Sequence, residues 1–180
     1  LYTIVDGPLW TQAEANSIKL GGHLTAINNS SENAWINETF GEYGDFNNGL
    51  GLMIGMTDQD TEGIYRWTNG DNVTFTNWFS GNPDNSRGLE NHVVLVGGEG
   101  NGRWNDFQED WWNLAGVSTQ PHEVVGLAEI PFIRRGDSAY VIVEGPTWEE
   151  AEANAVALGG HLVTINNAEE NKWILNNLQW

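Results

Sequence analysis

Asn82, Asp84, Glu90, Asn105 and Asp106 place five carboxylate or amide side chains between Gly81 and Asp106, in the stretch GNPDNSRGLENHVVLVGGEGNGRWND. The chain has no cysteine, and His92 is the single imidazole in this stretch. Hard oxygen donors without sulfur, carried by a Gly- and Asn-rich loop, suit calcium far better than zinc or copper. Pro83 adds a geometric reason. An X-Pro bond adopts the cis form at little cost, and a cis bond turns the chain so that Asn82 and Asp84 face the same ion. The competing reading is a polar loop that binds nothing, because loops are commonly built from these residue types.

The pattern Asn82-Pro83-Asp84, then Glu90, then Trp104-Asn105-Asp106, resembles the long loop of C-type lectin-like domains. The resemblance implies that these side chains hold one calcium, which takes two neighbouring hydroxyls of a sugar. It names Asn82, Asp84, Glu90, Asn105 and Asp106 as metal ligands, and Asn82, Asp84, Glu90 and Asn105 as sugar contacts. A carboxylate on the ion still accepts a hydrogen bond from a hydroxyl, and an amide donates one. The amide-Pro-Asp order is closer to the galactose-type variant than to Glu-Pro-Asn. Asp58 and Glu62, four apart, match the pair on which the family often places an auxiliary calcium. Its other ligands would be Asn85, Glu90 and Asn91; two are amides where carboxylates are common, so this site is expected to be the weaker one. An ordinary acidic turn is the alternative.

Composition narrows the setting. Net charge is −18, from 25 acids against 7 bases. That argues against nucleic acid or an anionic membrane surface as partners, and favours a cation-rich extracellular medium. No transmembrane run is present, and Leu1 reads as an internal residue. The family usually carries two disulfides; without them, stability has to come from packing and metal. Ten tryptophans suit core or interface positions, and an exposed one can stack on a sugar ring.

The elements that must position the loop read as follows. Residues 2–8 alternate into a strand ended by Gly-Pro, and residues 10–20 predict a helix with a Thr11/Glu14 capping box, stopped at Gly21-Gly22. Residues 23–27 predict a strand. A helix from Ser30 or Ser31 to Phe40 has Trp35, Ile36 and Phe40 on its buried side, and a loop spans 41–51. Residues 52–56, 65–68, 93–96, 103–106 and 124–130 read as strands. Between the last two, 107–122 departs from the family pattern. Its adjacent Trp111 and Trp112 are either a sugar-stacking lip or a hydrophobic plug replacing a disulfide.

Gly136-Asp137-Ser138 reads as a linker, after which the chain begins again. Residues 140–175 match residues 2–37 at a constant offset of 138, without gaps, with 22 of 36 positions identical. A fixed repeat is the signature of tandem domains. His23 and His161 sit just after the helix stop in both copies, away from the loop, which makes them structural rather than ligands. The second copy has opening strands and helices only; such a fragment does not bury its helix faces alone. Either the chain is a piece of a longer array, or residues 139–180 dock on a neighbouring chain and build a dimer or fibre.

The expectation is an α+β C-type lectin-like fold over residues 1–133, a linker over 134–139 and a truncated second repeat over 140–180. The expected function is a calcium-dependent carbohydrate-binding module, a lectin or adhesin, of a repetitive, bacterial-type extracellular or surface protein. The alternative is a structural or self-assembling array module in which calcium only stabilises the loop. No nucleophile elbow, His-Glu-x-x-His or P-loop is present, so no enzyme is expected.

Overall fold

The computed structural model describes residues 1–44, 51–109 and 125–178. Their elements begin with β1 (Tyr2–Asp6), α1 (Trp10–Lys19), β2 (His23–Leu24) and α2 (Ser30–Phe40). β3 (Leu52–Thr57), β4 (Arg66–Trp67), β5 (His92–Val96), β6 (Arg103–Phe107) and β7 (Val125–Glu129) follow. These strands form one sheet in the order β1-β7-β3-β5-β6, with β2 on β7 and β4 on β3. The pairs are antiparallel except β3 and β7, which run parallel through Met53 and Gly126.

Period-2 alternation assigns each strand two faces. Met53, Val94, Val96 and Ala128 join Trp10, Ala13 and Leu24 on the side of α1. Leu52, Ile54, Met56, Val93, Leu95 and Leu127 join Ile36, Trp67 and Trp104 on the side of α2. Both faces are therefore covered, which is why β3 and β5 read as continuous apolar runs.

Several local expectations are corrected. α1 is capped by Leu9 with no side-chain bond, so the Thr11/Glu14 capping box does not form. Glu14 reaches instead to the His23 ring nitrogen (2.6 Å) and the Leu24 amide (2.8 Å), tying the end of α1 to β2. α2 is capped by Asn29, whose side chain accepts from the Glu32 amide. Ile36 is fully buried, whereas Trp35 is 44% exposed. Trp35 packs at the surface against Tyr2 and Phe40 because adjacent helical positions point in different directions.

The expected linker is a hairpin: β8 (Ile133–Arg135) pairs with β9 (Ser138–Tyr140), with Gly136 in the left-handed region at φ 58°. Beyond it α3 (Trp148–Ala157) and α4 (Ala168–Asn177) form with side-chain caps from Thr147 and Asn167. The opening strands expected at the start of the repeat do not form: residues 141–145 and 161–165 are outside any strand. In the first copy β1 and β2 exist through their pairing with β7. Among the described residues no strand pairs with 141–145 and 161–165 as β7 pairs with β1 and β2, so their backbone does not enter a ladder.

Candidate functional site

β6 carries Asn105 and Asp106, and it is held in place by Trp104. The Trp104 indole is fully buried and its N–H donates to Asn33 Oδ1 at 2.8 Å. Its ring meets Trp67, Phe75 and Trp78 edge-on at 5.6–5.9 Å. The strand also anchors the start of the long loop: the Phe79 amide donates to the Trp104 carbonyl (2.9 Å), and the Trp104 amide donates to Asn77 (2.8 Å). Residues 77–79 therefore lead into the loop from a fixed platform.

The Asn82-Pro83 peptide bond is cis. The Asn82 amide donates to Asn105 Oδ1, so the two amides are in direct contact. Asp106 is fully buried, and its two oxygens accept the backbone amides of Asp84 (3.2 Å) and Asn85 (2.8 Å). Glu90 accepts the Ser86 amide (2.8 Å), and its own amide donates to Asn85 Oδ1 (3.2 Å). Asn85 and Arg87 adopt left-handed φ of 43° and 62°, which turns the loop back over Asp106. One oxygen each of Asp84, Glu90 and Asp106 lies within 4.8 Å of the others.

Three carboxylates this close destabilise one another's charge. Glu90 carries the strain: burial first, then Asp106 and Asp84, push its carboxyl up to about 7, against the lowering effect of the Ser86 amide. The donor set is all oxygen, acidic and partly open to solvent, and it fits a hard divalent cation such as calcium.

Asp58 and Glu62 lie beside this cluster. Asp58 is buried; one oxygen accepts the Gly63 amide (2.8 Å), and its carboxylate also faces the Glu62 carboxyl and the Tyr65 hydroxyl. The Glu62 carboxyl is pushed up by loss of solvent and then by Asp58, while Asn85 lowers it and Asp106 raises it. Asn91 is tied in through its carbonyl, which accepts the Thr57 hydroxyl (2.7 Å) and the Asp58 amide (3.2 Å). The structure thus brings Asp58, Glu62, Asn85 and Asn91 alongside Glu90 and Asp106. Trp111 and Trp112 lie outside the described residues.

Sequence reasoning missed Tyr65. Its hydroxyl is pushed up by burial first and then by Asp106, Asp58 and Glu62, so it sits in the field of both clusters. Its ring packs on Trp78 at 5.0 Å. Nothing in the spacing of Tyr65 signals this, because β4 reaches the loop only through the sheet. The histidines behave as structural groups: His23 contacts Glu14 at 2.6 Å and His161 contacts Glu152 at 2.7 Å.

The chain matches the family model for the Lectin C-type domain over residues 8–114. It is 33% identical over 103 residues to a C-type lectin of Micrurus corallinus, covering 56% of this chain and 64% of that protein. It is 36% identical over 86 residues to an alpha-N-acetylgalactosamine-specific lectin of Patiria pectinifera, covering 48% of this chain and 51% of that protein. The chain thus spans between 51% and 64% of the length of these relatives. Among solved structures, the C-type lectin CEL-I from Cucumaria echinata superposes with a TM-score of 0.51 at 26% identity, over 60% of this chain and 81% of that one.

Proposed function

Since the chain belongs to the C-type lectin domain family, we propose that it is a calcium-dependent carbohydrate-binding module whose ion is held by Asn82, Asp84, Glu90, Asn105 and Asp106. The observation that carries this reading is the meeting of Asp84, Glu90 and Asp106 within 4.8 Å, beside the Asn82–Asn105 contact. Calcium would supply the positive charge that the cluster lacks and a Lewis-acidic centre for sugar hydroxyl oxygens. The chain's own groups do the rest. Asn82 and Asn105 carry amide N–H donors, and Asp84 and Glu90 carry lone pairs that accept from hydroxyls. Asp106, fully buried, keeps the loop backbone folded over β6. The order Asn82-Pro83-Asp84 favours a galactose-type sugar, in keeping with the N-acetylgalactosamine specificity that the Patiria pectinifera relative is named for. Asp58, Glu62, Asn85 and Asn91, with Glu90, form an auxiliary calcium site, supported by the burial of Asp58 next to the Glu62 carboxyl, which Asp58 and Asp106 both push up. Trp111 and Trp112 follow the site in sequence and remain candidates for stacking on the sugar.

The module works outside the cell and is not an enzyme, as its lectin relatives suggest. Among the described residues no helix is long and apolar enough to cross a membrane.

A second reading has its own observation. Trp148, the counterpart of Trp10, is 67% exposed where Trp10 is 4% exposed, and Ile165, the counterpart of buried Ile27, is 47% exposed. We read residues 140–178 as the opening half of a second lectin copy, with residues 1–133 as the first domain and 134–139 as the connection. The uncovered face suits self-association or an array in a repetitive surface protein, adhesive or filamentous.

Calorimetric titration with calcium, followed by a monosaccharide screen with and without chelator, tests the main reading. Galactose-type binding lost with chelator and with Asp106→Asn supports it. Calcium binding without any sugar leaves the array reading in place. No calcium binding up to about ten millimolar, well into the range of weak extracellular sites, overturns it.

A further inference from the structure

Far from the calcium loop, Tyr2, Glu32 and Trp35 form a second polar-aromatic cluster, closed by Glu129 of β7. The Tyr2 hydroxyl lies 3.1 Å from Glu32 Oε1 and 3.2 Å from Glu129 Oε1, so its one proton serves two carboxylates. Burial, and then the charge of Glu32, push the Glu129 carboxyl up, although the Tyr2 hydroxyl lowers it. Trp35 packs on Tyr2 at 5.1 Å and 59°, and remains 44% exposed. The pocket is therefore an exposed aromatic face with an excess of negative charge.

The repeat shows what such a pocket takes. At the offset of 138, Tyr140, Glu170 and Trp173 are the counterparts of Tyr2, Glu32 and Trp35. Tyr140 and Trp173 reproduce the ring pair, at 4.9 Å and 54°. Glu32 Oε2 accepts the Asn28 amide at 2.8 Å, and Glu170 Oε2 accepts the Asn166 amide at 2.8 Å. In the first copy Oε1 accepts the Tyr2 hydroxyl and stays beside the exposed Trp35 face; in the second copy Oε1 has a further partner. In the second copy that partner is Arg135: its guanidinium lies 3.9 Å from Glu170 Oε1 and 5.0 Å from the centre of the Trp173 ring. A guanidinium over an aromatic face beside a carboxylate combines cation–π attraction with an ion pair.

We propose that the Tyr2–Glu32–Trp35 pocket is a receptor for an arginine guanidinium, presented by the Ile133–Tyr140 hairpin of a second copy of this chain, whose Arg135 exchanges its own Glu170–Trp173 site for this one. The charge pattern favours that occupant. The chain has 7 basic residues against 25 acidic ones, and the hairpin places two of them, Arg134 and Arg135, side by side. Arg134 is held on the turn by its bond to the Gly136 carbonyl (3.0 Å). The hairpin is then a clip that joins one lectin copy to the next, independently of calcium.

The test is a titration of the full chain, 15N-labelled at tryptophan, with a capped peptide of the sequence PFIRRGD, residues 131–137. The Trp35 indole resonance, assigned with Trp35→Phe, is followed in chelator. A saturable shift with Kd on the order of 1 mM or tighter is expected, weakened about fivefold by Glu32→Gln and by raised salt. The Arg135→Ala peptide is expected to bind at least about fivefold more weakly; this control does not depend on the folding of a variant. Absence of a Trp35 shift at millimolar peptide overturns the proposal, as does a shift that the Arg135→Ala peptide reproduces in full.

Discussion

Calcium affinity is expected to fall roughly ninetyfold between pH 8 and pH 5, with Glu90 as the responsible group. Its carboxyl is pushed up to about 7 by burial and by Asp106 and Asp84. A ligand has to be deprotonated to take the ion. The apparent affinity is divided by 1 + 10^(7 − pH), which is about 1.1 at pH 8 and about 100 at pH 5. At pH 7 binding releases about half a proton, readable by calorimetry in two buffers of different ionisation enthalpy. The metal-free protein responds in the opposite sense. Glu90 has a folded pKa above its unfolded value of about 4.3. Its contribution to stability is thus fully present below about 4.3 and is lost as pH rises through about 7. The group is part-exposed, so solvent screens the size of this effect and the sign is the test. Both effects are read as the difference between wild type and Glu90→Gln, which cancels other titrating groups. Glu90→Gln is expected to bind calcium more weakly and to lose most of the slope. An affinity that is flat between pH 8 and pH 5, or a slope retained in Glu90→Gln, refutes the reasoning.

Trp10→Ala is expected to cost about 3–5 kcal/mol, because the ring is buried, stacks on His92 at 4.3 Å and donates to the Ile54 carbonyl at 2.8 Å. Trp148→Ala is expected to change stability by less than about 0.5 kcal/mol, since its ring is 67% exposed; urea denaturation of the two variants checks both. Gly55→Ala places a methyl 2.3 Å from the Leu24 carbonyl oxygen, a backbone atom of β2, which is held in place by its pairing with β7. A cost of about 1–3 kcal/mol is expected, measured as a lower urea midpoint. His92 is pushed down to about 4 by burial, so its contribution is lost as pH falls from about 6.5 towards 4. His92→Phe is expected to flatten that acid limb in melts recorded between pH 7 and pH 4.

Much of this molecule was open to local reading. Strands β3, β5, β6 and β7 follow from apolar runs and alternation, which depend on neighbours one or two residues away. The oxygen donors follow from residue type and spacing, and the 138-residue repeat follows from identity alone. The resemblance, itself carried by local motifs, ties Asn82, Asp84, Glu90, Asn105 and Asp106 together from sequence alone. Tertiary structure decided what depends on partners distant in sequence. Glu14 left its expected cap because His23 and the Leu24 amide offered it two hydrogen bonds. Trp35 came to the surface because Ile36 took the core direction. The strands of the second copy did not form, although their sequence nearly repeats β1 and β2, because a strand needs the backbone of another to pair with. Tyr65 entered the field of the acidic loop only through the sheet. Arg135 met Trp173 and Glu170 only after the chain had turned back at Gly136. Residue type and spacing determined which groups are available to the chemistry; long-range pairing decided which of them meet, since local sequence does not encode the distance between segments that the fold brings together.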